Sequence, residues 1–264
     1  MLRTLTDLKH LTIGASDGPI GKVHDAYFDD EHWTMRYLVV DTGGWLSRRV
    51  LITPLSIDHV DWNAQRIDVR MTRDQVRNSP DVDTDKPVSR QHEMVFLNYY
   101  GLPHYWGGPL LWGPTASPLG IGEVRSDPLQ TGHRVQSVEE LSDDHHDPHL
   151  RSCTSVSGYY IQATDGGIGH IDDYLFDDDT WSIRYLIIDT RNWLPGKRVV
   201  VSSEWVERVS WNERKAYIAM SKALIRDAPE YDRDLTIRED TEVERLHTHR
   251  DDPEIRDRGR NTRL

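Results

Sequence analysis

Alternating hydrophobic and polar positions dominate the first 70 residues of the chain and predict short β-strands. In residues 33–42, "WTMRYLVVDT", aromatic and branched side chains alternate so that every second one shares a face. Similar runs follow one another between turn residues: "IGKVHDAYFDD", "RRVLITP", "IDHVDW" and "RIDVRM". Many short strands at this spacing predict a small closed β-barrel, because closure leaves no exposed sheet edge.

The pattern changes after Met71, where a helix start replaces the strand alternation. Thr72 is followed three positions later by Gln75, the arrangement of a capping box, and Pro80 stops the helix. Ser221 occupies the same position in a second such stretch. Each barrel is therefore predicted to be followed by a short helix.

The strand pattern occurs twice in the chain. Residues 17–46 are identical to residues 165–194 at 16 of 30 positions when the offset is held at 148, and the offset becomes 149 after the second tryptophan. A period this long does not fit a solenoid repeat. The sequence therefore predicts an all-β protein with two small barrels in tandem.

The repeats divide the chain into four predicted segments: a first barrel at 1–83, an aromatic segment and linker at 84–149, a second barrel at 150–234 and a charged tail at 235–264. The aromatic part of the linker is expected to pack on a barrel, between the barrels or against a second chain. From Pro114 onward the linker is rich in Gly, Pro, Ser, His and Asp, and this composition predicts a flexible, partly disordered chain.

Composition limits the partners and the compartment. The formal net charge of −12 disfavours direct nucleic-acid binding through the whole surface. The one cysteine, Cys153, cannot form a disulfide within the chain, which fits a reducing compartment. No signal peptide and no run of about 18 apolar residues is present. The cytoplasm is the expected location, with no transmembrane segment; peripheral docking on a membrane is left open.

The repeated pattern "DGxIGxVxDxxFDD…W…RYLVVDT…W" resembles the PRC-barrel family. That family includes the cytoplasmic domain of the H-type subunit of the photosynthetic reaction centre and the C-terminal domain of the RimM-type ribosome maturation factor. The resemblance covers both repeats and the start of the linker, "KPVSRQHE…YYGLPHYWGG". It implies PRC-type barrels and an interaction role, and it leaves photosynthetic and ribosomal roles open as alternatives.

The sequence offers no convincing catalytic set, and no enzyme activity, cofactor or metal site is predicted. "HEMVF" begins like a zinc-protease helix, but Phe96 stands where the second histidine is required. The histidines of "HHDPH", residues 145–149, lie in the predicted flexible linker without residues to orient them. Asp41 and Asp189 each end a strand and are expected to accept hydrogen bonds from the next turn.

Aromatic residues are the candidate partner-binding groups. Trp45 and Trp193 lie beside turn residues and are expected to be partly exposed, since tryptophan is enriched at interfaces. The linker adds four more candidates: Tyr99, Tyr100, Tyr105 and Trp106. The sequence thus favours a non-enzymatic scaffold that binds a protein of unknown identity. Pairing of the two barrels within one chain and a homodimer are both allowed.

Overall fold

The computed structural model describes residues 1–46, 48–80, 90–120, 150–190 and 197–233. The chain is mostly β, with two seven-stranded sheets, as the alternating pattern predicted. It divides into two compact units. The first-repeat unit contains Asp7–Cys153 and Asp179–Trp181, and the second-repeat unit contains Met1–Thr6, Thr154–Asp178 and Ser182–Leu264.

The sheet of the first-repeat unit has the strand order β5-β4-β3-β2-β7-β6, with β8 pairing with β3. Strands β2 and β7 are parallel, and the other pairs are antiparallel. The strands are β2 (Thr12–Ala15), β3 (Gly18–Asp29), β4 (Thr34–Asp41), β5 (Arg49–Ile52), β6 (Ile57–Asp61), β7 (Arg66–Val69) and β8 (Leu150–Ser152). The helices are α2 (Arg73–Arg77) and α3 (Arg90–Tyr100).

The sheet of the second-repeat unit has the same order, β12-β11-β10-β9-β14-β13, with β1 pairing with β10. Its one parallel pair among the described strands is again the equivalent one, β9 with β14. The strands are β1 (Leu2–Thr4), β9 (Tyr160–Ala163), β10 (Gly166–Asp177), β11 (Ile183–Asp189), β12 (Arg198–Ser202), β13 (Val206–Ser210) and β14 (Lys215–Ile218). Helix α5 (Lys222–Asp227) follows.

The two units differ from the two sequence repeats at their N-terminal ends. The strand that precedes the first repeat, β1, belongs to the sheet of the second repeat, and β8, which precedes the second repeat, belongs to the sheet of the first. The chain changes units inside two short helices, α1 (Leu5–Leu8) and α4 (Cys153–Val156), and again before and after Asp179–Trp181. Each sheet is therefore completed by a strand that leads into the other repeat.

Local signals in the sequence explain how the elements begin. The Thr72 side chain accepts from the Gln75 N–H while the Gln75 side chain accepts from the Thr72 N–H, so the predicted capping box is confirmed. Ser221 caps α5 by accepting from the Leu224 N–H. Both satisfy helix N–H groups that have no partner inside the helix.

Glycine is required where β3 and β10 pass close to the next strand. A Cβ atom at Gly21 would lie 2.0 Å from the carbonyl oxygen of Asp41, and one at Gly169 would lie 2.1 Å from that of Asp189. The two carbonyls occupy equivalent positions in the repeats. No other residue type fits such an approach, so both positions require glycine.

The described part of the linker is more regular than the sequence predicted. Its aromatic part contains helix α3, and residues 114–120, expected to be flexible, form a hydrogen-bonded turn. Thr115 accepts a backbone bond from Trp112, and the Ser117 hydroxyl donates to the carbonyl oxygen of Asp179. These bonds compensate for the low apolar content of the segment. Residues 84–89, 121–149 and 234–264 lie outside the described part of the chain, and so do the histidines of "HHDPH".

Candidate partner-binding surface

The aromatic segment after the first repeat packs on the sheet of that repeat, which is one of the three expected arrangements. Phe96 on α3 meets Tyr37 on β4 edge to face, with ring centroids 5.5 Å apart. Glu93, on the same helix, is completely buried. The hydroxyls of Tyr37 and Tyr105 both donate to its Oε2 atom, at 2.8 and 2.7 Å. One carboxylate therefore joins the helix, the sheet and the linker.

These contacts keep the Tyr37 hydroxyl protonated. Burial raises the pKa of Tyr37 well above its ordinary value, and the neighbouring Glu93 charge raises it further. The hydroxyl is consequently a permanent donor to Glu93 at physiological pH. Among the predicted partner-binding residues, Tyr105 is 4% exposed, so its ring contributes to packing in this unit.

Arg36 is the buried cation beside this cluster, and no sequence pattern indicated its burial. Its side chain is 2% exposed and stacks on two rings, with the guanidinium carbon 3.9 Å from the Tyr105 centroid and 5.0 Å from that of Trp112. Nη1 donates to the Leu111 carbonyl oxygen, and Nη2 donates to Asp29 Oδ2 at 3.2 Å. Arg36 thus fastens the linker to β4 through charge, stacking and hydrogen bonds.

Asp29 ends β3 and is the anionic partner of Arg36. Burial alone would raise the pKa of Asp29, but the Arg36 guanidinium and the backbone N–H groups of His32 and Glu31 outweigh burial, and the pKa is lowered. His32 Nδ1 lies 3.0 Å from Asp29 Oδ2. The carboxylate at this hairpin therefore has a structural role.

The lowered pKa of Asp29 predicts acid-sensitive stability. A carboxyl whose pKa is lower in the folded state stabilises the fold above the pKa of the unfolded chain, and this contribution is lost as pH falls through the folded pKa. The free-energy difference between the wild type and Asp29→Asn should therefore be largest at neutral pH and shrink below about pH 4. Urea unfolding at a series of pH values measures it. Two pH curves that stay parallel would contradict this role.

The other aromatic residues of the linker are less buried. Tyr99 is 42% exposed, and its hydroxyl donates to the Gln75 carbonyl oxygen at 2.9 Å. Burial raises the pKa of Tyr100 to about 12. Trp106 is half-buried and stacks on His104 at a centroid distance of 4.7 Å. Tyr99, Tyr100 and Trp106 keep some accessible surface, and their role in partner binding stays a prediction.

Two tryptophans predicted to bind a partner fall where the structure gives no side-chain description. The backbone of Trp45 lies in a 3-10 turn, Gly43–Trp45, but its side chain is not described, and Trp193 lies outside the described residues. The preceding Asp41 side chain accepts from the Gly43 N–H at 2.9 Å, which confirms the bond from Asp41 to the next turn. The exposure of both rings stays a prediction.

An exposed aromatic surface lies instead on the second-repeat unit, on the outer face of strands β9, β14 and β13. Tyr160 on β9 is 61% exposed. Lys215 pairs with Tyr160 in register, and Tyr217 pairs with Gln162, so Tyr160 and Tyr217 are diagonal neighbours on one face. We call Tyr160 and Tyr217 the outer aromatic face. Trp211 is 46% exposed in the turn between β13 and β14, where its ring meets the buried Tyr159 edge to face at a centroid distance of 6.4 Å.

Neighbouring charged side chains orient Tyr217. The Arg208 guanidinium carbon lies 3.7 Å from the centroid of the Tyr217 ring, and the Tyr217 hydroxyl donates to Glu213 Oε2 at 2.8 Å. The hydrogen bond lowers the pKa of Glu213 and raises that of Tyr217. Tyr217 is therefore oriented before any partner arrives.

The first-repeat unit has a different surface at the equivalent strands. Thr12 stands where the second repeat has Tyr160, and Asp68 stands where it has Tyr217. Asp68 Oδ1 accepts from Arg66 Nε at 2.7 Å. Only the tryptophan is shared, as Trp62 and Trp211. The two repeats have similar buried residues but different residues on this face. A comparison of the outward-facing positions of the two repeats would have identified the outer aromatic face from the sequence alone.

Two groups of histidine and carboxylate side chains, within the residues that can be described, bring their ligand atoms within 4.8 Å of one another. They are Asp29, Glu31 and His32, and His170, Asp172 and Asp189. In each group an arginine binds one carboxylate: Arg36 binds Asp29, and Arg198 Nε lies 3.1 Å from Asp172 Oδ2. Because an arginine already binds one of the two carboxylates in each group, neither group is assigned as a metal site.

None of the helices in the described ranges is long and apolar enough to cross a membrane.

Comparison with known proteins agrees with the architecture of the first repeat. Residues 3–76 match the model of the PRC-barrel domain, so a PRC-barrel domain lies at these positions. An uncharacterized protein of Deinococcus radiodurans is 32% identical over 78 residues, which is 30% of this chain and 28% of that protein. The chain therefore matches less than a third of that relative's length.

Proposed function

We propose that the chain is a non-enzymatic scaffold that binds a protein partner through the outer aromatic face of its second-repeat unit. The observation that carries this proposal is the 61% exposure of Tyr160 beside Tyr217 on one face of a sheet whose interior residues are almost completely buried, with Trp211 46% exposed in the turn between β13 and β14. Large aromatic side chains that face solvent together are typical of interface anchors.

The energetics of the face support binding. Tyrosine and tryptophan offer a large apolar area with few rotatable bonds, so little conformational entropy is lost when they are covered. Arg208 and Glu213 already orient Tyr217, which reduces that loss further. The described part of the unit thus presents a preorganised surface that contains aromatic rings and a guanidinium, the residue types enriched in hot spots.

The repeat comparison supports a specific role for this face. Barrel packing requires the buried positions, and these are similar in both repeats, whereas packing does not require Tyr160 or Tyr217 because Thr12 and Asp68 replace them in the first repeat. The PRC-barrel match at residues 3–76 also supports an interaction role. Cys153 is the one cysteine of the chain and is buried, which supports a reducing compartment, so we place the interaction in the cytoplasm.

The pathway follows from the partner. A reaction-centre or quinone-linked protein would support the photosynthetic accessory alternative, and a ribosomal protein would support the assembly-factor alternative. The structure favours neither of these alternatives.

The test converts the face into its first-repeat counterpart. The variant Tyr160→Thr/Tyr217→Asp carries the residue types that the first repeat has at Thr12 and Asp68. The equivalent strands of the first-repeat sheet already accommodate them. Affinity capture of the full chain from its own cells, with quantitative mass spectrometry, should show at least one protein depleted about tenfold or more, corresponding to about 1.4 kcal/mol of binding free energy. The thermal unfolding temperature should stay close to that of the wild type.

The matched control is Arg66→Gln/Asp68→Asn, which removes the charged pair on the equivalent face of the first-repeat unit. It should retain the captured protein. Equal recovery with all three chains would show that the outer aromatic face binds no partner. Loss with the control alone would move the binding surface to the first-repeat unit.

A further inference from the structure

The two exchanged strands form nearly identical arms. The first arm, residues 2–6, reads "LRTLT", and the second, residues 150–154, reads "LRSCT". The first arm pairs with β10 in the register Leu2↔Asp177, and the second pairs with β3 in the register Leu150↔Asp29. Allowing for the offset of 148, the two registers are the same. Each arm pairs with the long hairpin of the repeat to which it does not belong.

The side chains of the two arms make the same contacts. Arg3 Nε lies 3.2 Å from Asp178 Oδ2, and Arg151 Nε lies 2.8 Å from Asp30 Oδ2; Asp30 and Asp178 are equivalent in the repeats. Leu2 and Leu150 are both buried. A hydroxyl within each arm, although not at the same position of the arm, donates to the same repeat position: Thr6 donates to Asp173, and Ser152 donates to Asp25.

These contacts do not depend on which chain supplies the arm. Within one chain, an arm already leaves its own repeat and crosses to another through a helix of only four residues. The same crossing between two chains would create the same hydrogen bonds and ion pairs, and the exchange of an identical element is a low-cost route to a dimer.

We propose that the first arm also pairs with β10 of a second copy of this chain, which gives a closed, strand-exchanged homodimer. In this dimer each chain places residues 2–4 on its partner's β10, so the first arm of each chain is paired with a strand. The balance between the monomer and the dimer depends on protein concentration and on the effective concentration of the chain's own arm. The proposal is independent of the outer aromatic face.

The test uses two full-length charge variants. Each one places like charges between its own arm and hairpin, whereas the arm of one and the hairpin of the other carry opposite charges. In Arg3→Glu, the arm carries a negative charge that faces its own Asp178; in Asp178→Arg, the hairpin carries a positive charge that faces its own Arg3. Only a mixed, exchanged dimer restores both ion pairs. After joint unfolding and refolding, size-exclusion chromatography with light scattering should show about tenfold more dimer in the mixture than in either variant alone.

The matched control places the same charge changes on a pair that cannot be shared between chains. Arg66 and Asp68 lie two residues apart on one strand and form an ion pair of 2.7 Å. Mixing Arg66→Glu with Asp68→Arg should give no additional dimer. An equal gain in the control mixture would show that surface charge, and not arm exchange, causes association, and it would overturn the proposal.

A disulfide trap keeps the proposal testable if a charge variant folds poorly. Asp178 donates its N–H to the Met1 carbonyl oxygen, so the adjacent pair Leu2 and Asp177 is a non-hydrogen-bonded pair with closely spaced Cα atoms. Such a pair suits a disulfide. Refolding a Leu2→Cys chain together with an Asp177→Cys chain should yield a covalent dimer that joins these two cysteines. Its absence, together with a monomeric charge-variant mixture, would overturn the proposal.

Discussion

Replacing Arg36 with methionine should lower the free energy of unfolding of the first-repeat unit by about 3–5 kcal/mol. Methionine has a similar length but cannot neutralise Asp29, which stays buried beside it. The variant also loses the hydrogen bond to Leu111 and the stacking on Tyr105. Urea unfolding followed by tryptophan fluorescence measures the change.

The second repeat supplies the control for this prediction. Arg184 occupies the equivalent position and is only half-buried. Arg184→Met should therefore cost about 1 kcal/mol or less, because partly exposed ion pairs and hydrogen bonds contribute little. Equal losses in the two variants would mean that the burial of Arg36 among the aromatic rings adds nothing to stability. The two units can unfold in separate transitions, so each variant is compared within its own transition.

Replacing Glu93 with leucine should have an effect of similar size. Two buried tyrosine hydroxyls would lose their acceptor, and each such loss costs about 1–3 kcal/mol, so the pair costs about 2–6 kcal/mol. Thermal unfolding and urea unfolding should both report the loss in the first-repeat unit.

Removing the hydroxyls as well should restore much of that stability. In the triple variant Glu93→Leu/Tyr37→Phe/Tyr105→Phe these three side chains no longer carry a polar atom that needs a partner, and replacing both sides of a buried hydrogen bond is nearly neutral. A triple variant less stable than Glu93→Leu would show that the side chains matter for their shape and not for their hydrogen bonds. Tyr99→Phe, which affects an exposed hydroxyl, should change stability by less than about 1 kcal/mol.

Local features of the fold could be predicted because their physical cause is local. The capping box at Thr72, the glycines before the carbonyls of Asp41 and Asp189, and the alternation in β4 each depend on a few neighbouring residues. The exchange of the arms could not be predicted in this way. The arms "LRTLT" and "LRSCT" are similar, and so are the two hairpins. The sequence of an arm therefore does not indicate which hairpin it pairs with.

The surroundings of the buried cluster were also beyond the sequence. Period-two alternation placed Arg36 on one face of β4 and Tyr37 on the other, but the pairing of β3 with β4 skips Arg36 in a β-bulge, and the linker contacts both side chains. Glu93 looked like part of a failed zinc motif, whereas its role is to accept from two tyrosines that are distant in sequence. The outer aromatic face, in contrast, consists of outward positions in predicted strands and needed only a comparison of the two repeats.

The exchange of arms also sets an order for biosynthesis. Residues 2–4 are translated early, but their pairing residues in β10 appear only when the second repeat is being made. At about 5–20 residues per second, the first arm waits on the order of ten seconds for its place in a sheet. The first-repeat unit waits as well, because it needs β8 and residues 179–181. Both units are therefore completed only after translation has reached the second repeat. A ribosome that stalls between the repeats leaves the first barrel without β8 and only β1 of the second.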